Sequence, residues 1–91
     1  MSDPVTHRPN SVKLTLFGRE YCGLCQEMRQ ALNTLAPELG LQIAWFDIDD
    51  DDEIEAKYND MVPVLVGEAD EVICFYHLNR RALDAYLGRI R

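Results

Sequence analysis

Two cysteines at close spacing are the residues in this sequence best suited to chemistry. Cys22 and Cys25 stand in the segment Arg19-Glu-Tyr-Cys-Gly-Leu-Cys-Gln-Glu-Met28, separated by a glycine and a leucine. A thiolate attacks a disulfide sulfur to form a mixed disulfide, which a second thiol nearby can resolve. The pair therefore predicts thiol–disulfide exchange, in which Cys22 attacks and Cys25 resolves. We expect this chemistry to need no cofactor.

A third cysteine opens two alternatives. Cys74 and His77 repeat the spacing of the first pair, and three thiolates with one imidazole form a ligand set that tetrahedral Zn²⁺ accepts. A zinc-binding structural module is one alternative to catalysis. The other is a redox-idle interaction domain whose cysteines fill the core, since cysteine is among the most buried residue types. In the redox interpretation no metal is expected, and Cys74 is a buried strand residue or a third redox thiol.

The cysteine pair must be positioned by a strand and a helix. Val12 to Phe17 alternates apolar and polar residues and stops at Gly18, which predicts a first strand. From Gly23 onward the apolar residues recur at helical steps: Cys25, Met28, Leu32, Leu35 and Leu39. Pro37 disfavours helical geometry at the residue before it, so we expect this helix to end or kink at Ala36.

The junction between this strand and this helix favours a reactive sulfur. Cys22 would lie at the helix N-terminus, where unpaired N–H groups and the helix dipole favour an anion such as a thiolate. Arg19 would add a positive charge nearby. Cys25, one helical turn farther on, would lie deeper along the buried stripe, within reach of the mixed disulfide.

The remaining elements complete a small sheet. Leu41 to Ile48 is a second strand, parallel to the first because the two are joined through one helix. Val62 to Val66 and Glu71 to Phe75 are strand-like runs at hairpin spacing and should be antiparallel. A short helix before them is predicted from Ile54, Lys57 and Tyr58. Asn79 would cap a last helix, whose apolar face is Leu83, Tyr86, Leu87 and Ile90.

Three motifs follow one another along this framework. They are the cysteine pair after the first strand, Asp47-Ile-Asp49 closing the second, and Met61-Val-Pro-Val64 opening the third. Over residues 12 to 90 the chain resembles glutaredoxin-like and thioredoxin-like proteins of the thioredoxin-fold superfamily. The resemblance implies a cis Val62–Pro63 bond facing the cysteine pair, with the Val62 backbone pairing with a bound thiol or peptide. From the sequence alone, Pro63 could equally be a trans proline on an edge strand.

The resemblance also bears on substrate and reductant. We expect substrate contacts from Arg19, Tyr21, Val62 and Pro63. Tyr21 stands where a thioredoxin has tryptophan, and Gly23-Leu24 replaces the Pro-Tyr of glutathione-using glutaredoxins. Tyr76-His77-Leu78 replaces their glutathione-holding Gly-Gly pair. The expected substrate is a disulfide-containing protein or a low-molecular-weight thiol compound, and the reductant is either thioredoxin reductase or glutathione.

The charge of the chain is concentrated in one segment. The formal net charge is −7, and Asp47 to Glu55 contains seven acids without a base, while the other nine acids match the nine bases. The bases are not clustered, which excludes a nucleic-acid footprint. An EF-hand loop that starts at Asp47 or at Asp49 would lack the required glycine at its sixth position and glutamate at its twelfth, so neither register fits. We expect these acids to cap and stabilise the short helix, or to dock a basic partner.

Length and hydropathy limit the domain organisation. A chain of 91 residues suffices for one core, so we predict a flexible leader at residues 1–11 and a single thioredoxin-fold α/β domain at residues 12–91. The expected element order is β-α-β-α-β-β-α, with a four-stranded mixed sheet flanked by helices. The sequence has no long apolar run and no secretion signal, which predicts a soluble, cytoplasmic protein that does not bind membranes.

Overall fold

The structure is a computed structural model that describes residues 11–91. Its elements are β1 (Val12–Gly18), α1 (Gly23–Leu39), β2 (Leu41–Asp47), a 3₁₀ turn (Ile48–Asp50), α2 (Asp52–Tyr58), β3 (Val64–Val66), β4 (Val72–Phe75) and α3 (Arg80–Ile90). This order confirms the predicted α/β fold class. The predicted leader lies outside the described residues, apart from Ser11. No helix within residues 11–91 has the length and apolar character needed to cross a membrane.

The four strands form one mixed sheet in the order β2-β1-β3-β4. β1 and β2 are parallel from the pair Val12 and Leu41 to the pair Gly18 and Asp47. β3 is antiparallel to both β1 and β4, so β4 runs in the same direction as β1. The carboxyl ends of β1 and β4 therefore lie at one edge of the sheet, where α1 begins.

Helices cover both faces of this sheet. Apolar side chains alternate along β1, so that Leu14 and Leu16 face one side and Phe17 faces the other. The first side packs against α1 and α3 through Met28, Leu32, Leu83, Tyr86 and Leu87. The second side packs against α2 through Tyr58. Burial of each large apolar side chain stabilises the fold by about 1.5–3 kcal/mol.

The prediction that α1 ends or kinks at Ala36 is wrong about the end, because the helix continues through Pro37 to Leu39. Pro37 lacks the N–H that a helical residue donates to the carbonyl four positions earlier, so this turn forms with one hydrogen bond fewer. The helix ends at Gly40, which has a φ of 69° and donates its N–H to the Ala36 carbonyl. The guanidinium of Arg91 donates to the Leu39 carbonyl and so satisfies a further acceptor of this turn.

Several predicted boundaries shift by one or two residues. β2 ends at Asp47, whose carboxylate accepts the Asp49 N–H at 2.9 Å and starts the 3₁₀ turn. Asp51 caps α2 in the same way, which confirms the capping role expected of the acid run. Asn79 caps α3 as predicted, but Ile90 is 43% exposed and does not join its buried face.

Candidate active site

Cys22 occupies the N-cap position of α1. Its backbone is extended, with φ −104° and ψ 115°, and its Sγ accepts the Cys25 N–H at 3.2 Å. Its carbonyl accepts the first helical hydrogen bond, from the Gln26 N–H at 3.1 Å. The Cys22 sulfur is partly exposed and lies at the end of the helix where the dipole is positive and backbone N–H groups are available.

Cys25 lies beneath Cys22 and is fully buried. Its Sγ accepts the Arg19 backbone N–H at 3.4 Å. Burial and the hydrogen bond with Cys22 raise the pKa of the Cys25 thiol, the Arg19 N–H opposes the shift, and the resulting pKa is about 12. The two free thiols are therefore unequal, because one is open to solvent at a helix end and the other is protonated and enclosed.

Gly18 and Trp45 enclose the buried thiol, and sequence patterns alone did not identify either residue as part of the site. A Cβ on Gly18 would stand 2.8 Å from Trp45 Cη2 and 2.9 Å from Cys25 Sγ, so only glycine fits. The Trp45 ring is held by its Nε1, which donates to Glu20 at 3.2 Å, and by the Arg29 guanidinium 4.3 Å from the ring centroid. A glycine at the strand end directly before a cysteine motif was the available signal.

The guanidinium of Arg19 is directed at the acidic segment. It donates to the Asp49 carboxylate at 3.1 Å and to the Glu55 carboxylate at 3.3 Å. It also donates to the Asn59 carbonyl and to Asn59 Oδ1, both at 2.9 Å. The hydrogen bond with Asp49 is the largest of the effects that raise the pKa of Arg19. Sequence reasoning expected this charge beside Cys22 and did not identify Asn59.

The other predicted substrate contacts lie on two loops. Tyr21 precedes Cys22 and is fully exposed. The Val62–Pro63 peptide bond is cis, with Pro63 buried and Val62 half-buried. Because Phe17 pairs with Val64, Pro63 lies next to the end of β1 where the cysteine loop begins.

Cys74 and His77 do not assemble a metal site with the cysteine pair. Within residues 11–91 no three His, Cys, Asp or Glu side chains are grouped so that they could hold a metal ion. Cys74 is buried opposite Leu65 in the sheet, and burial raises the pKa of its thiol. The zinc alternative therefore has no geometric support in the described part of the chain.

A groove runs between the start of α1 and the loop after β4. Its volume is about 250 Å³, and it is lined by Leu24, Glu27, Met28, Ala31, Tyr76, His77 and Leu78. Tyr76 has a φ of 66°, which is unusual for a bulky residue, and its N–H donates to the Pro63 carbonyl at 2.8 Å. The volume is below the roughly 300–1,000 Å³ of typical small-molecule sites, and it suits a side chain or a short peptide segment.

Comparisons with known proteins identify a family and a shared fold. The family described as Glutaredoxin-like domain (DUF836) matches residues 13–88. Protein Ne2328 from Nitrosomonas europaea is 36% identical, with a TM-score of 0.75 over 82% of this chain and 89% of that chain. Target protein XcR50 from X. campestris is 29% identical, with a TM-score of 0.63 over 86% and 99% of the two chains.

More distant structures share the fold. Thioredoxin 1 from Thermosipho africanus is 19% identical, with a TM-score of 0.60 over 85% of this chain and 96% of that chain. No curated protein sequence matches the chain. The family match spans most of the chain. The chain therefore belongs to the glutaredoxin-like domain family and has the thioredoxin fold.

Proposed function

We propose that this protein is a thiol–disulfide oxidoreductase that reduces disulfides in proteins or in low-molecular-weight thiol compounds. One observation carries the proposal: the Cys22 sulfur lies at the N-terminus of α1, with the Cys25 thiol one turn below it. A partly exposed sulfur at a helix end is suited to attack, and a buried neighbour is suited to resolution. Membership in a glutaredoxin-like family supports the same chemistry.

The reaction proceeds in two exchanges. The Cys22 thiolate attacks one sulfur of the substrate disulfide, a bond forms between Cys22 Sγ and that sulfur, and the other substrate sulfur leaves as a thiolate. Cys25 then loses its proton and attacks Cys22 Sγ, which releases the second substrate thiol. The substrate gains two electrons and two protons, and the protein keeps a disulfide between Cys22 and Cys25. A cellular dithiol or thiol reductant reverses that disulfide.

The pKa of Cys25 suits the order of these steps. Two of the effects that raise it come from Cys22, through a hydrogen bond and through charge. Both disappear when Cys22 is bound in a mixed disulfide and carries no charge. Cys25 therefore stays protonated until the first exchange is complete and becomes easier to deprotonate afterwards.

The substrate would lie across the surface around Cys22. Tyr21 precedes Cys22 in the chain, Val62 and Pro63 lie beside the end of β1 where the cysteine loop begins, and the groove beside Leu24 can receive a substrate side chain. The reductant is either thioredoxin reductase or glutathione. We propose that the protein acts in the cytoplasm, because reduction of disulfides requires a compartment that keeps thiols reduced.

Single cysteine variants test the assignment. We expect Cys22→Ser to abolish reduction of a model disulfide such as insulin or oxidised glutathione, because the attacking sulfur is gone. Cys25→Ser should accumulate a mixed disulfide at Cys22, detectable by mass spectrometry, because resolution is lost. Cys74→Ala is the matched control and should retain activity. Full activity in both variants of the pair would identify the cysteines as redox-idle.

A further inference from the structure

Arg19 is hydrogen-bonded through its backbone to both cysteines of the pair. Its N–H donates to Cys25 Sγ at 3.4 Å, and its carbonyl accepts the Cys22 N–H at 3.2 Å. One peptide segment therefore sets the relative position of the attacking and the resolving residue. Any movement of this segment changes both contacts together.

The side chain of the same residue is fastened at a second place. All three guanidinium nitrogens donate to a set of acceptors that we call the clamp, formed by Asp49, Glu55 and Asn59. Asp49 lies in the 3₁₀ turn, Glu55 lies in α2, and Asn59 directly follows α2. The cysteine loop is thus attached to elements that are 30 to 40 residues away in sequence.

We propose that Arg19 is a positioning residue, which holds the cysteine loop against the clamp and thereby sets the rate at which Cys25 attacks a mixed disulfide on Cys22. The inference rests on the proposed function, since it concerns the same pair of thiols. It differs from a direct electrostatic role, in which the guanidinium would favour the Cys22 thiolate. The geometry favours positioning, because two carboxylates already neutralise the guanidinium.

Only arginine can fill this position. Its planar fork reaches several acceptors at fixed angles, whereas lysine presents one point charge on a flexible stem. An exposed ion pair contributes about 0–1 kcal/mol, but the Arg19 side chain is only 27% exposed and is bonded to four acceptor atoms. Apart from the clamp, a further side-chain hydrogen bond holds the cysteine loop: Gln26 Nε2 donates to the Glu20 carbonyl at 3.2 Å.

Dithiobis(nitrobenzoate) separates the two exchanges in the full chain carrying Cys74→Ala. Attack by Cys22 releases one thionitrobenzoate and leaves the other bound to Cys22, in a second-order phase. Attack by Cys25 releases the second thionitrobenzoate and closes the disulfide, in a first-order phase. The reagent accepts the two electrons that the dithiol gives up, so each protein reduces one reagent molecule.

The reference chain is the full chain carrying Cys74→Ala. We compare it with Arg19→Lys and with the double variant Asp49→Ala/Glu55→Ala, both made in the same background. Both should slow the second phase by about tenfold, since misplacement of reacting groups by about 1 Å can cost up to about 10²-fold. The first phase should change by less than about twofold. The matched control is Asp50→Ala/Glu53→Ala, which removes the same charge from acids that make no ion pair within residues 11–91. It should leave both phases unchanged.

A direct electrostatic role gives the opposite pattern. Removal of the two carboxylates would then free the guanidinium and accelerate the first phase, while Arg19→Lys would leave both phases unchanged. Either result overturns the proposal, and so does an equal loss in both phases. Failure of the proposed function is seen separately, because the reference chain itself would then release no second thionitrobenzoate.

Discussion

At the scale of single residues, the pair is asymmetric because its sulfurs lie at different depths. Cys22 lies at the helix end and is partly exposed, whereas Cys25 is enclosed beneath Gly18 and Trp45. The enclosure raises the pKa of Cys25 to about 12, and the proximity of Cys22 contributes to that shift. In the proposed exchange, the order of attack and resolution therefore follows from burial and does not require different kinds of side chain.

A titration of the cysteines tests the contribution of Cys22. In Cys22→Ala the hydrogen bond and the charge that raise the pKa of Cys25 are lost while burial remains, so Cys25 should begin to deprotonate at lower pH. The measurement is the ¹³Cβ chemical shift of each cysteine as pH rises from neutral toward about 12. The pKa of Cys74 is raised by burial without Cys22, so its titration should be unchanged. An unaltered Cys25 profile would contradict this account.

The sequence predicted the positions of some of these residues but not the contacts of others. The spacing of Cys22 and Cys25 and the helical pattern after Gly23 placed Cys22 at the N-terminus of α1 and Cys25 on the helix itself, and the structure confirms that placement. The guanidinium contacts of Arg19 were out of reach, because a local pattern does not report hydrogen bonds between residues 30 or more positions apart. Asn59 carries no motif, and its role depends wholly on that fold.

At the scale of elements, the site depends on how closely β1, β2 and α1 approach one another. Gly18 closes β1, Trp45 lies on β2, and Cys25 lies on α1, and the three meet where a Cβ on Gly18 would stand. Parallel pairing of β1 with β2 holds Trp45 in place. The periodicity of the sequence predicted both strands, but it contains no information about the distance between a helix and a strand.

Substitution of Gly18 tests this close approach. Gly18→Ala should lower the free energy of unfolding by about 1–3 kcal/mol, because the added methyl overlaps Trp45 and Cys25. Gly23→Ala is the matched control, since a Cβ there meets nothing within 4 Å, and its stability should be nearly unchanged. Urea unfolding followed by the fluorescence of Trp45, the one tryptophan of the chain, gives both values. Equal stability of the two variants would show that the junction can relax.

At the scale of the whole molecule, the acidic segment from Asp47 to Glu55 determines the net charge and connects α2 with the cysteine loop. The net charge of −7 arises from the segment that starts at the end of β2 and continues into α2. Asp47 and Asp51 cap the two short helical elements, while Asp49 and Glu55 hold Arg19. Composition predicted the capping role. The contact between these acids and the cysteine loop could not be predicted from composition, because it depends on the sheet order, which brings α2 to the end of β1.

The buried thiols should also make the stability of the molecule depend on alkaline pH. The pKa of Cys25 rises from 9.0 to about 12 on folding, so the native state keeps a proton that the unfolded chain releases near pH 9. The stabilisation from this proton is complete below about pH 9 and is lost as pH rises toward about 12, because the unfolded state then binds fewer protons.

This loss is measured by comparing how steeply the free energy of unfolding falls with pH in the unsubstituted chain and in Cys25→Ala. The free energy of unfolding of the reduced protein should fall by up to about 1.4 kcal/mol per pH unit over that window because of Cys25 alone. Cys25→Ala should remove this share of the slope, whatever it does to stability at neutral pH. Burial raises the pKa of Cys74 in the same direction, so adding Cys74→Ala should flatten the profile further. Equal slopes for the unsubstituted chain and Cys25→Ala would show that Cys25 is not protonated in the native state at high pH.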